Sequence, residues 1–272
     1  MKPAPELQRP PSINHAPLAH VGRIIAVASG KGGVGKSTVT VNLAHALTAA
    51  GKRVGILDAD IYGPSIPRML GLDTYLKPEI VDNMMVPPIA HGIRAMSMAL
   101  ITGDEAAVLR APMITKALVQ FLRLTRWGTA DEPCDILLVD LPPGTGDITL
   151  SLAQNCKLDG LVLVTTPQDV AVMDADKCAS AFHKLHVPLL GVVENMSYFT
   201  DPQGTHHHLF GQGGGDKLAN KHHSRLLGQL PLDAAMGKCA DAGENFVGLH
   251  RSSPATAAFN AIAAVLITMG AQ

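Results

Sequence analysis

Short, nearly unbroken apolar runs alternate along the chain with longer stretches whose apolar residues recur every three or four positions. The runs predict strands over Ile24–Ser29, Arg53–Asp58, Ile136–Asp140, Leu161–Thr165, Leu189–Glu194 and Leu227–Leu230. The longer stretches predict helices over Lys36–Ala50, Ile114–Trp127, Asp147–Asn155, Val170–His186, Gly215–Ser224 and Pro254–Met269. Gly51 stands where a helix C-terminal glycine is expected. Alternation of the two element types predicts an α/β fold, a mostly parallel twisted sheet with helices on both faces. Strands buried on both faces need continuous apolar runs, and the composition agrees: 47% hydrophobic and 17% charged. Val86–Leu100, interrupted by Pro87, Pro88 and Gly92, reads as a small hairpin inserted between sheet strands.

The 272 residues suit one domain, over 21–272, behind a proline-rich tail at 1–20 that reads as disordered rather than as a signal peptide. A formal net charge of −1 provides no electrostatic footprint for nucleic acid. No window approaches the roughly 18 uninterrupted apolar residues of a membrane span. The expectation is a cytoplasmic protein with neither nucleic acid nor membrane as partner. Cys134, Cys156, Cys178 and Cys239 are widely spaced, as expected of reduced thiols, and none forms a Cys-x-x-Cys pair. By the strand and helix pattern, Cys134 precedes the strand at 136–140, Cys156 and Cys178 fall in helices, and Cys239 lies beyond the strand at 227–230.

The chemistry concentrates after the first strand. Gly30, Lys31, Gly32, Gly33, Val34, Gly35, Lys36, Ser37 and Thr38 spell a phosphate-cradling loop, Gly-x-x-x-x-Gly-Lys-Ser, between a strand and a helix. Glycines there turn backbone N–H groups onto phosphate oxygens, Lys36 reaches the β- and γ-phosphates, and the Ser37 hydroxyl suits Mg²⁺. The helix that follows points its positive end at the same anion. A merely flexible turn would account for neither the Lys-Ser-Thr ending nor the flanking elements. The fold class is that of a P-loop NTPase.

Parallel sheets of this kind bind ligands beyond the carboxyl ends of their strands. Asp58 and Asp60 close the second run; Asp60 is placed to orient an attacking water, and Asp58 to support the metal. Asp140, after four apolar residues, suits a metal-facing carboxylate acting with Ser37. Gly144 and Gly146 would let the following segment respond to a γ-phosphate. Asn195 could either read adenine N6 and N7 or form a turn, and the segment holding Pro231 would wall the base pocket. An Asn-Lys-x-Asp guanine signature is absent around Asn195.

Lys31, directly after the first glycine, resembles the second lysine of the deviant Walker A loop of MinD/ParA/Mrp ATPases. In that class it reaches across a dimer interface to the partner's phosphates. Further segments match: DADIYGPS (58–65), APMITKALVQFL (111–122), ILLVDLPPGTGDITLSLAQ (136–154), TTPQDVAVMDADK (165–177), GVVENMSYF (191–199), HLFGQGGG (208–215) and LPLD (230–233). Together they resemble the Mrp/ApbC family of iron–sulphur cluster carrier ATPases over residues 21–248. The resemblance implies a homodimer that binds ATP and Mg²⁺, hydrolyses ATP slowly and serves apo iron–sulphur proteins or an assembly scaffold. It also implies a Cys-x-x-Cys pair soon after ENMSYF, where this chain has Phe199-Thr200-Asp201-Pro202-Gln203-Gly204. His206, His207 and His208 follow, as a solvated loop or a set of imidazole ligands. The alternative reading is a MinD/ParA-like nucleotide-switch adaptor, or a metal-insertion ATPase with no cluster of its own. A membrane reader would end in a basic amphipathic helix, whereas 257–272 carries no basic residue.

Overall fold

The computed structural model describes residues 17–61, 63–73, 77–98, 100 and 111–270; most of the proline-rich tail, and Tyr62, lie outside the described residues. Nine strands form one sheet: β1 (Val21–Ser29), β2 (Val54–Asp58), β5 (Ile89–Ala90), β6 (Ile93–Ser97), β7 (Cys134–Asp140), β8 (Gly160–Thr165), β9 (Leu189–Thr200), β10 (His206–His207) and β11 (Leu226–Pro231). Their order runs β11-β9-β8-β1-β7-β2-β6 with every pair parallel. At one edge β5 adds antiparallel to β6, and at the other β10 adds antiparallel to the far end of β9. A separate hairpin joins β3 (Glu79–Val81) to β4 (Met84–Val86).

Helices cover both faces. They are α1 (Lys36–Ala49), α2 (Ile66–Met69), α3 (Ala111–Leu124), α4 (Asp147–Asn155), α5 (Asp169–Lys184), α6 (Gly214–Lys221), α7 (Ala234–Ala242), α8 (Phe246–Leu249) and α9 (Pro254–Thr268). Strand side chains alternate between the faces. Ile24, Ala26 and Ala28 of β1 therefore join α3, α4 and α5 in one apolar layer, while Ile25 and Val27 join α1, α8 and α9 in the other. The terminal helix α9 buries Phe259, Ile262 and Leu266 in the second layer, so it is a core helix.

Three expectations need correction. The 86–100 stretch does form a hairpin, β5–β6, but as the edge of the main sheet, with β6 beside β2 and the prolines in the connection before β5. Strand β9 does not stop at Glu194 but continues to Thr200, passing through Met196 at a left-handed φ of 53°. Cys156 is the residue that ends α4 rather than one inside it, with φ −126° and ψ 137°. Among the described residues no helix is long and apolar enough to cross a membrane.

Candidate nucleotide site

The carboxyl ends of β7, β2 and β6, beside β1, form a row of polar side chains because the parallel register aligns them. Val27 stands beside Asp140, Asp140 beside Asp58, and Asp58 beside Ser97. Apolar residues on both sides bury this row, with Asp140, Asp58 and Ser97 each at most 1% exposed. Buried carboxylates need donors, and α1 provides them.

Gly35 caps α1 at φ 82°, a left-handed conformation that glycine tolerates. The first turn then faces Asp140. Lys36 Nζ donates to Asp140 Oδ2 at 2.7 Å, Ser37 Oγ donates to the same oxygen at 2.6 Å, and Thr40 Oγ1 donates to Oδ1 at 2.7 Å. Asp60 Oδ2 stands 4.0 Å from Lys36 Nζ. Thr40 escaped the sequence reading. Its signal was spacing, since it lies one helical turn after Lys36 and so on the same face.

The loop itself is fixed from outside. A Cβ on Gly30 would run into the backbone of Asp174 and Ala175 in α5, and one on Gly35 into the Asn195 amide. Asn195 Nδ2 donates to Val34 O at 2.8 Å, so β9 and the loop are joined directly. Ser29 Oγ donates to Lys31 O at 2.9 Å, and Gly144 N to Ser29 O at 2.8 Å, which ties the segment after β7 to the loop's start. Gly32 and Gly33 are exposed, Lys31 is partly exposed, and Val34 is buried. A cleft of about 200 Å³ opens between Lys31, Lys36, Ser37, Asp60, Met69 and Pro143. Lys31 has no ion pair among the described residues.

The structure therefore gathers Lys31, Lys36, Ser37, Thr38 and Asp60 on one cleft with Asp140 beneath it, and places Asn195 against Gly35. Asp58 sits deeper, accepting from Asp60 N at 3.1 Å and Ser97 Oγ at 3.1 Å. Pro231 lies opposite Tyr198 across the β11–β9 pair, three residues along β9 from Asn195 and outside the loop cleft. A hydroxyl and carboxylates in contact are a hard oxygen set that fits Mg²⁺.

Burial, and secondarily the neighbouring Asp140 carboxylate, pushes the Asp58 carboxyl up to about 8. A raised carboxyl favours the native state below its unfolded value, near 3.8, and that contribution is lost as pH rises through about 8. Asn at this position keeps the shape and stays neutral. In nucleotide-free protein, the melting temperature of Asp58→Asn should thus gain on wild type between pH 6 and 8.5, by roughly 2–4 °C for each kcal/mol relieved. A gap independent of pH in thermal melts would show that Asp58 is not the titrating group.

Beyond Asn195, Glu194 is fully buried and accepts from Ser197 Oγ at 2.6 Å, Gly215 N at 2.6 Å and Gln229 Nε2 at 2.9 Å. It fastens β9, α6 and β11 together. The three histidines diverge. His206 stacks on Tyr198 at 4.3 Å, His207 Nε2 meets Asp201 Oδ2 at 2.7 Å, and His208 Nδ1 meets Ser197 O at 3.0 Å.

Comparison with known proteins agrees with this geometry. The profile of the ParA group described as NUBPL iron-transfer P-loop NTPase matches residues 20–267. The chain belongs to this family. The iron-sulfur cluster carrier protein of Escherichia coli (strain K12) is 48% identical over 252 residues, covering 92% of this chain and 67% of that protein. The iron-sulfur cluster transfer protein NUBPL of Mus musculus is 44% identical over 256 residues, covering 92% and 78%. Among solved structures, the nucleotide-binding protein from Archaeoglobus fulgidus in complex with ADP, with Co found in it, aligns at a TM-score of 0.75 and 37% identity. That alignment covers 87% of this chain and 91% of the other. Pyrococcus furiosus MinD aligns at a TM-score of 0.69 and 22% identity, over 91% and 99% of the two chains, a likeness of fold. The family is thus one of P-loop NTPases, and the cleft beside Lys31 and Lys36 is where its defining loop lies in this chain.

Proposed function

We propose that this protein is a cytoplasmic, ATP-hydrolysing, dimeric switch that serves the transfer of iron–sulphur clusters to apo proteins or from an assembly scaffold. The observation that carries this reading is the convergence of Lys36, Ser37 and Thr40 on Asp140 under a glycine loop with Lys31 at its exposed rim. The names of the E. coli and mouse relatives supply the cargo class.

In this reading the backbone N–H groups of Gly32 to Thr38 cradle the phosphates, and Lys36 neutralises charge that develops on the γ-phosphoryl oxygens. Asp60, at the cleft wall 4.0 Å from Lys36, orients the attacking water. Ser37 and Asp140 would hold Mg²⁺, which would spread the phosphate charge, with Asp58 buried beside Asp140 on the neighbouring strand. Asn195 and the segment ending at Pro231 frame the adenine. Because Gly144 hangs on Ser29 and Asn195 on Val34, a change at the phosphates reaches both neighbouring segments. Helix α9 turns Phe259, Ile262 and Leu266 into the core, so this helix does not present them to a membrane as the MinD/ParA-like alternative would ask of it.

Lys31 completes a partner's site. Lys31→Ala is expected to leave a folded protein that binds ATP but stays monomeric with ATP and Mg²⁺, as read by multi-angle light scattering. Normal ATP-dependent dimerisation of that variant would refute the cross-interface role. Absence of any magnesium-dependent ATP hydrolysis by the unaltered chain would sink the switch itself.

A further inference from the structure

Iron–sulphur clusters are held by cysteine thiolates, and the thiolate rather than the thiol is the ligand. The chain has four cysteines, and all four are buried: Cys134 and Cys178 at 0%, Cys239 at 4% and Cys156 at 5% exposed. Cys134 opens β7 at the sheet end opposite the nucleotide cleft, its Sγ 3.3 Å from Ile136 O. Cys156 ends α4, and Cys178 lies within α5. These three face one apolar layer, while Cys239 of α7 faces the other, across the sheet. Burial pushes the thiols of Cys134 and Cys156 up to about 11 and that of Cys178 to about 12. Burial also raises Cys239, with Glu244 adding to the effect.

Other donors do not replace them. The hairpin between β9 and β10 is closed on itself: Asp201 Oδ1 accepts from Gln203 N at 2.9 Å and Thr205 N at 2.8 Å, and its Oδ2 meets His207. Each of His206, His207 and His208 has a different partner and direction. Among the described residues, no group of three or more His, Cys, Asp or Glu is arranged to hold a metal ion. The four cysteines and the described histidines and carboxylates do not fit a cluster.

We infer that this chain holds no iron–sulphur cluster on residues of its own and acts on a cluster that stays on the cysteine thiolates of a partner protein. The inference rests on the iron–sulphur reading above and narrows it. The chain contributes nucleotide-dependent shape and contact, while the partner keeps every bond to iron. Two copies of this chain would not change this, because doubling buried thiols on opposite sides of a core provides no surface site.

The test has two arms, both on the full chain with ATP hydrolysis assayed on the same preparation. In the first, the protein is incubated anaerobically with ferrous iron and sulphide, desalted, and analysed for iron, acid-labile sulphide and visible absorption. The expected result is iron far below one cluster per two chains and no thiolate-to-iron charge-transfer band. All four thiols should react with Ellman's reagent only after denaturant is added. Retention of about one cluster per two chains, on thiolates or on any other ligands, would overturn the inference. Cysteine substitutions at these buried sites could unfold the protein, so thiol reactivity of the unaltered chain serves as the control. In the second arm, the chain is added with ATP to a cluster-loaded cysteine-ligated scaffold and an apo-ferredoxin. Faster formation of holo-ferredoxin, with no iron co-purifying on this chain, is expected; no acceleration despite intact ATP hydrolysis would overturn the partner half. Loss of ATP hydrolysis itself would instead count against the switch reading.

Discussion

Replacing Lys36 by alanine is expected to lower ATP turnover by at least about 10²-fold, the scale of losing one preorganised electrostatic contact to a transition state. Two effects combine in that loss. The ammonium group is the cation nearest the cleft floor, so the phosphoryl charge loses its main counter-charge. It is also only 6% exposed and paired with a fully buried Asp140, and deleting one partner of such a pair costs roughly 3–5 kcal/mol. Part of any lost activity would therefore be lost fold. Lys36→Arg separates the two, because it keeps the charge but replaces a compact point donor by a planar fork with a different donor geometry. Its melting temperature should stay closer to wild type than that of the alanine variant while turnover remains depressed. Wild-type single-turnover rates in Lys36→Arg would remove Lys36 from the phosphate site.

Asp140→Ala carries the second large effect, and on stability it is the larger. That carboxylate accepts from Lys36, Ser37 and Thr40, so its removal strands a buried ammonium, while Thr40 Oγ1 keeps Lys36 O at 3.0 Å and Ser37 is only half-buried. Relief at Asp58 offsets part of this, since Asp140 is one of the groups that push its carboxyl up. The stranded lysine dominates: breaking a buried ion pair costs roughly 3–5 kcal/mol, whereas easing one neighbouring carboxyl removes only a secondary contribution. The expected outcome is a melting temperature lower by roughly 10 °C in the absence of nucleotide. Asp140→Asn, of the same shape, should melt closer to wild type yet need far more Mg²⁺ to support hydrolysis. An alanine variant that melts with wild type would mean that the three donors find other partners.

The readable and unreadable parts of the chain differ by physical cause. Strands β1, β2, β7 and β8 are central, buried on both faces, and therefore written as plain apolar runs with an acid or hydroxyl at the end. Helix α4 spans Asp147–Asn155 as its apolar spacing predicts, although nothing in the sequence marked Cys156 as the extended residue that ends it. Strand β6, in contrast, has only β5 beyond it, and its Ile-Arg-Ala-Met-Ser sequence breaks the apolar run with Arg94, which ion-pairs with Glu132 at 3.2 Å. Nothing local marks it as the neighbour of β2, so the Ser97 contact to Asp58 could not be foreseen. The extension of β9 past Glu194 was hidden for a related reason. Asn195, Met196 and Ser197 look like a strand's end, and only partners distant in sequence, Val34 for Asn195 and Pro231 of β11 for Tyr198, keep the segment in the sheet. Short helices such as α2 and α8 have too few residues for periodicity to show.

The contact between Gly30 and α5 bears on how the protein meets its ligand. With the Asp174–Ala175 peptide against one end of the loop and the Asn195 amide against the other, the loop's two ends have little freedom left to lose, while Gly32 and Gly33 between them stand exposed. The conformational entropy of shaping the cradle, about 1–2 kcal/mol for each residue fixed, is spent when the sheet and helices assemble. On the nucleotide reading proposed above, an incoming polyphosphate would meet a cradle whose two ends are already set.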